Sequence, residues 1–147
     1  MKAIKSFNEF IESKIVKKQS PDKSRAEFLI KESGKDYLFL KELIKKIGVK
    51  DENANHFIKN SHDIIMELIR AKMLLDGYNA SGFGAHEAEV SYLRNLNFRE
   101  SDVQFADQLR YFRNGILYYG TILDKEYAEK VLVFLEKTYN KLKEVLK

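Results

Sequence analysis

A single proline, Pro21, and seven glycines are all that interrupt 147 residues. Proline and glycine end helices most reliably, so the intervals between them are open to long helices. Apolar residues in those intervals recur three and four apart, the period of a helix with one buried face. No alternating strand pattern stands out, and no fixed-period repeat is visible. The sequence predicts an all-α protein: an up-and-down bundle of five or six helices joined mostly by short connections. At this length one domain, residues 1–147, is expected, with enough chain to bury a real core. Residues 1–19 form its N-terminal helical extension.

Residues Ile4 to Lys18 read as a short amphipathic helix with Ile4, Phe7, Phe10, Ile11 and Ile15 inward. Ser20-Pro21-Asp22 marks a second start, with Ser20 as the capping residue and proline in the first turn. That helix is expected to run to Ile47 and stop at Gly48, with Gly34 either kinking it or admitting another helix. Asp51 is placed to cap a third helix, whose inward face is Ala54, Phe57, Ile58, Ser61, Ile65, Leu68, Lys72 and Leu75. Gly77 to Gly84 is a glycine-rich loop. It follows a helix rather than a strand and lacks the Lys-Ser/Thr pair of a phosphate-binding loop, so a mobile lid or connector is expected. Ala85 to Asn97 forms a short helix, and Asp124 caps the last one, which carries Tyr127, Val131, Phe134, Leu135, Thr138, Leu142 and Val145 inward.

Between these lies the least ordinary stretch, Asp102 to Asp124, a predicted helix of about six turns. Phe105, Leu109, Phe112, Ile116, Tyr119 and Leu123 make its core stripe. Its other flanks are not simply polar: Arg110, Arg113, Leu117 and Gly120 lie on one, Asp107, Tyr111, Asn114 and Tyr118 on the other. Such a helix is expected to be covered twice, by its own core and by something else.

Charge sharpens this. The net +4 sits at the ends of the chain; from Met73 to Asp124 there is no lysine, and four arginines face seven acids. Guanidinium suits bidentate contact with carboxylate or phosphate. Arg110 and Arg113 therefore either pair with Asp107, Asp102 or another acid, or serve a ligand. With no cysteine there are no disulfides or thiolate metal sites. No apolar run reaches the roughly 20 residues of a membrane span, and the N-terminal MKAIKSFNEFIESK carries acids within its apolar pattern, unlike a signal peptide. A cytoplasmic, prokaryotic protein is expected. His56, His62 and His86 form neither a His-Glu-x-x-His nor a Glu-x-x-His pattern; each is expected at a surface or helix end, and no metal or cofactor is expected.

The segment Gln108 to Gly120, with Leu109-Arg110-Tyr111-Phe112-Arg113-Asn114 and an aromatic-glycine ending, resembles the signature helix of HEPN domains, the higher-eukaryote and prokaryote nucleotide-binding superfamily. The resemblance implies a small helical bundle, usually a homodimer in which two such helices meet. Many members are metal-independent ribonucleases, some are toxins paired with a nucleotidyltransferase antitoxin, and others are binding or assembly modules. Arg113 matches the motif arginine and Asn114 the polar residue after it, while Tyr118 stands where the family has histidine. The implied site is then Arg113, Asn114 and Tyr118, with Arg110 and Arg113 facing RNA or a nucleotide and Tyr111, Leu117 and Tyr118 at the dimer interface. Histidine titrates near neutrality and tyrosine near 10, so the resemblance implies a catalytically degenerate module first and a ribonuclease using Tyr118 second. On one straight helix Arg113 and Tyr118 point about 140° apart, so their convergence would need two subunits.

Overall fold

The computed structural model describes residues 3–147; Met1 and Lys2 of the N-terminal stretch lie outside the described residues. The chain is an all-α bundle with six α-helices among the described residues: α1 Phe7–Glu12, α2 Lys23–Ile47, α3 Ala54–Leu75, α4 Ala85–Ser91, α5 Glu100–Tyr119 and α6 Lys125–Val145. No helix among them is long and apolar enough to cross a membrane.

The helix at the centre is α3. It packs against α2, α6, α5 and α4, and 13 of its 22 residues are buried, with Phe57, Ile58, Ile64, Ile65, Leu68, Ile69, Met73 and Leu74 sealed from solvent. Its apolar residues are more widely spread round the helix than the single stripe of a surface helix. The α2 and α6 helices cover it, held to each other by Tyr37 stacked on Tyr139 at 3.8 Å between ring centroids. Gly34 does not break α2; a Cβ there would meet only the Tyr139 hydroxyl at an ordinary 3.6 Å. Val131, Phe134, Leu135, Thr138 and Leu142 of α6 face inward as their spacing requires.

Several local expectations change. Asp22, not Ser20, caps α2 by accepting from the Arg25 amide. The first helix stops at Glu12. Lys14 turns the chain with a positive φ of 66°, and Val16–Lys18 becomes a strand, β1, paired antiparallel with β2, Tyr78–Ala80. The ladder is extended by Gln19 N–H to the Gly77 carbonyl and Ser81 N–H to that of Ile15. Gly77 is required here: its φ is +87°, and a Cβ would lie 2.8 Å from the Gln19 carbonyl. The glycine-rich segment thus begins as a strand that clasps the N-terminal region to the body, where Ile4, Phe7, Phe10 and Val16 are buried. Residues Tyr92–Leu96 are a 3-10 turn rather than a continuation of α4.

The α5–α6 corner positions everything that follows. Gly120 adopts a left-handed φ of 67° and ends α5 four residues before the expected Asp124. The chain folds back so that Thr121 lies over Gly115, where a Cβ would meet its hydroxyl oxygen at 2.8 Å. Asn55 of α3 pins the corner, donating to the Thr121 carbonyl and accepting from the Leu123 amide. Asp124 caps α6 through the Tyr127 amide, as expected, while Asp51 accepts from the Lys125 amide rather than capping its own following helix.

Candidate functional site

The buried face of α5 is turned away from the stripe its large residues suggest. Asp102, Val103, Ala106, Asp107 and Leu109 are buried; Phe105, Phe112 and Ile116 are half-buried, and Tyr119, expected in the core, is 84% exposed. The rotation brings the arginine flank inward. Arg110 is held by Asp107 at 2.9 Å and reaches Glu87 at 3.7 Å. Arg113 points to α3, its Nε 3.3 Å from Asp63 Oδ1, close enough for an ion pair but without a well-directed hydrogen bond.

Around that contact α3, α4 and α5 enclose a polar pocket of about 260 Å³. His62, Asp63, Glu67 and Arg70 enter from α3, His86 from α4 and Arg113 from α5. The residues are linked in two strings. In the first, His62 Nδ1 lies 2.9 Å from Asp63 Oδ1, and Asp63 in turn faces Arg113. In the second, the Arg70 Nε and a terminal nitrogen grip both oxygens of Glu89 at 2.6 and 3.0 Å, and His86 Nδ1 meets the same carboxylate at 3.0 Å.

Burial dominates the electrostatics. It pushes the His62 pKa below its usual value, more than the hydrogen bond and charge of Asp63 raise it. Burial alone would raise Asp63, but the His62 hydrogen bond and the charges of His62 and Arg113 bring it below the ordinary carboxylate value. Glu89 follows the same pattern, its burial outweighed by hydrogen bonds from His86 and Arg70. An ionised Asp63 accepts from Nδ1–H, and burial favours the neutral ring; in that form Nε2 is an acceptor. That Nε2 is buried and has no partner. Glu67 has no compensating bond: burial, then the nearby charges of Asp36 and Asp63, raise it to about 7, and its Oε2 is also unpartnered. Buried polar atoms are nearly always satisfied, so the gathering of these unpartnered atoms on residues that line one cavity makes it the candidate site.

The motif residues part company here. Arg113 lines the pocket. Asn114, half-buried, faces an adjoining hollow with Arg110, Phe83 and Glu87. Tyr118 is 71% exposed on the outer side of α5, and Tyr111 and Leu117 are exposed with it. Within one subunit Arg113 lines the pocket and Tyr118 does not. The expectation that every histidine is superficial fails at His62, 4% exposed on the most buried helix. A larger hollow, about 610 Å³, is an open groove beside Phe112, Ile122 and Tyr127; none of the unpartnered buried atoms belongs to its lining.

Glu67 gives a direct check. Its raised pKa means that folding costs nothing extra below pH 4.5, where the group is protonated in both states. The cost grows as pH rises from there to about 7 and persists above. In phosphate-free buffer, Glu67→Gln is therefore expected to stabilise the protein by roughly 1–2 kcal/mol at pH 8, discounted for partial exposure, and to change little at pH 4. Equal effects in urea denaturation at the two pH values would contradict this environment.

Compared with family models, curated proteins and solved structures, the chain matches none.

Proposed function

We propose that the protein is a homodimeric, HEPN-like module that binds RNA or a nucleotide, or docks a partner, through paired α5 helices. One observation carries this reading. From Asn114 to Leu123 the chain has no charged residue, yet Leu117, Tyr118, Tyr119 and Ile122 are 44%, 71%, 84% and 85% exposed. Tyr111, seven residues before Tyr118 and so on the same helix face, adds a further ring, 60% exposed. Contiguous apolar surface of this kind marks an interaction site, and a self-complementary patch produces a twofold dimer. The resemblance of Gln108 to Gly120 to the HEPN signature helix supports the same pairing, with Arg110 and Arg113 as the cations of that segment.

On this reading the wild-type chain sediments at twice its 17.2 kDa mass at micromolar concentration. Leu117→Glu combined with Tyr118→Glu returns it to a monomer with unchanged helicity. A monomeric wild type would overturn the reading.

A second reading, a metal-independent endoribonuclease of the toxin type with a nucleotidyltransferase as partner, is favoured by the Arg113–Asp63–His62 string. The motif helix lacks histidine, but α3 supplies one beside the motif arginine. Arg113 would engage phosphate with Asn114 alongside, and the proton would pass through Tyr118 of a second copy or through His62. Cleavage of RNA in chelator, lost by about 100-fold or more in Arg113→Ala, is the expected result of this reading. Absence of cleavage in wild type rejects it and leaves the module.

A further inference from the structure

We propose that the open groove between the α5–α6 corner and the first turns of α6 docks a basic amphipathic helix of another protein. Its floor is apolar. Phe112 and Tyr127 meet edge to face with ring centroids 5.1 Å apart, Leu123 lies beside them, and Ile122, 85% exposed, lines it from the corner. The groove holds about 610 Å³. A second hollow of about 400 Å³ shares Glu126 and Lys130 with it and adds Glu129 and Val133, the last 73% exposed. The surface therefore continues along α6 from Glu126 to Val133, about 10 Å of helix.

Charge and backbone together name the occupant. Asp51, Asp124 and Glu126 line the groove and Glu129 the adjoining hollow, against one cation, Lys130. None of these four carboxylates is in an ion pair among the described residues. The positive end of α6 offsets roughly half a charge, so the surface stays acidic on a chain whose net charge is +4. It disfavours a nucleic acid and attracts lysine and arginine. The main chain beside the groove has little left to offer: the Thr121 carbonyl and the Leu123, Lys125 and Tyr127 amides are already bonded. An extended partner would find no strand edge to pair with, whereas a helix satisfies its own backbone and binds through side chains. Apolar residues along one side of that helix would cover Leu123, Ile122 and Val133, with basic residues beside them facing the carboxylates. Phe112 lies about 100–120° round α5 from Tyr111 and Tyr118. The groove thus borders the proposed dimer face at Ile122 and does not rest on it.

The test is fluorescence anisotropy of the full chain with three labelled synthetic peptides of about four helical turns each. The first combines leucine and lysine with leucine at every third or fourth position. The second has the same residues scrambled so that no apolar face forms, and the third has glutamate for lysine. At an ionic strength of about 0.15 M the first should bind at least tenfold more tightly than the other two. Glu126→Lys/Glu129→Lys should weaken that binding at least tenfold, and Val133→Ser about threefold or more. Glu27→Lys/Glu42→Lys, the same charge change on exposed residues of α2, should leave it unchanged. Equal binding of the scrambled peptide, equal loss in the α2 variant, or no binding at about 100 μM would each overturn the proposal. So would binding confined to the monomeric Leu117→Glu/Tyr118→Glu chain, which would assign the groove to a second copy.

Discussion

A helix packed against four others carries a charged residue at low cost only where another element brings a counter-charge or water still reaches it. The α3 helix is that helix, and along one side it carries His62, Asp63, Glu67 and Arg70 among apolar neighbours. Ionised groups taken out of water cost several kcal/mol each unless paired. Glu89, nearly sealed from solvent, therefore requires Arg70, while Asp63, 44% exposed, is bonded to His62 and faces Arg113. These pairings tie α4 and α5 to α3, with the arginine flank of α5 turned toward it. Glu67 receives no counter-charge and is held toward its neutral form instead.

The same rotation explains the outer surface. With Arg113 turned inward, the last turns of α5 present Tyr118 and Tyr119 to solvent, with Leu117 on the flank. The corner beyond them has little freedom, because Asn55 holds both Thr121 and Leu123, and Asp51 and Asp124 cap α6. A rigid, uncharged, aromatic surface and a polar pocket thus lie on opposite sides of one helix. The proposed dimer uses the first. The motif arginine belongs to the pocket side.

Helices with a simple two-sided pattern were legible from residue spacing. The α6 helix behaves as its apolar stripe and Asp124 cap require, and α2 stops at Gly48. The six-helix architecture follows from the scarcity of proline and glycine. What resisted reading was tertiary in origin. Three-residue strands such as Val16–Lys18 are too short to show alternation, and this pairing joins segments some sixty residues apart. Tyr119 continues the alternating steps of three and four that run from Leu109, yet the corner at Gly120 leaves it 84% exposed. His62 looked superficial because neither histidine motif was present. The signal that could have found it is the polar set 62, 63, 67 and 70, which helical spacing gathers on one flank of α3 among apolar residues. Arg110 pairing with Asp107 was readable from their three-residue separation; the pairing of Arg113 with Asp63, fifty residues away, was not.

The protonation state of His62 tests the central claim most directly, because the pocket chemistry depends on a neutral imidazole with Nδ1–H on Asp63 and Nε2 open. Nitrogen-15 NMR of the histidine rings reads tautomer and charge together. The expected result is a neutral Nδ1–H tautomer at pH 6.5, where an ordinary histidine is half charged. A half-charged His62 at that pH, or a proton on Nε2, would contradict the claim and remove the acceptor from the site.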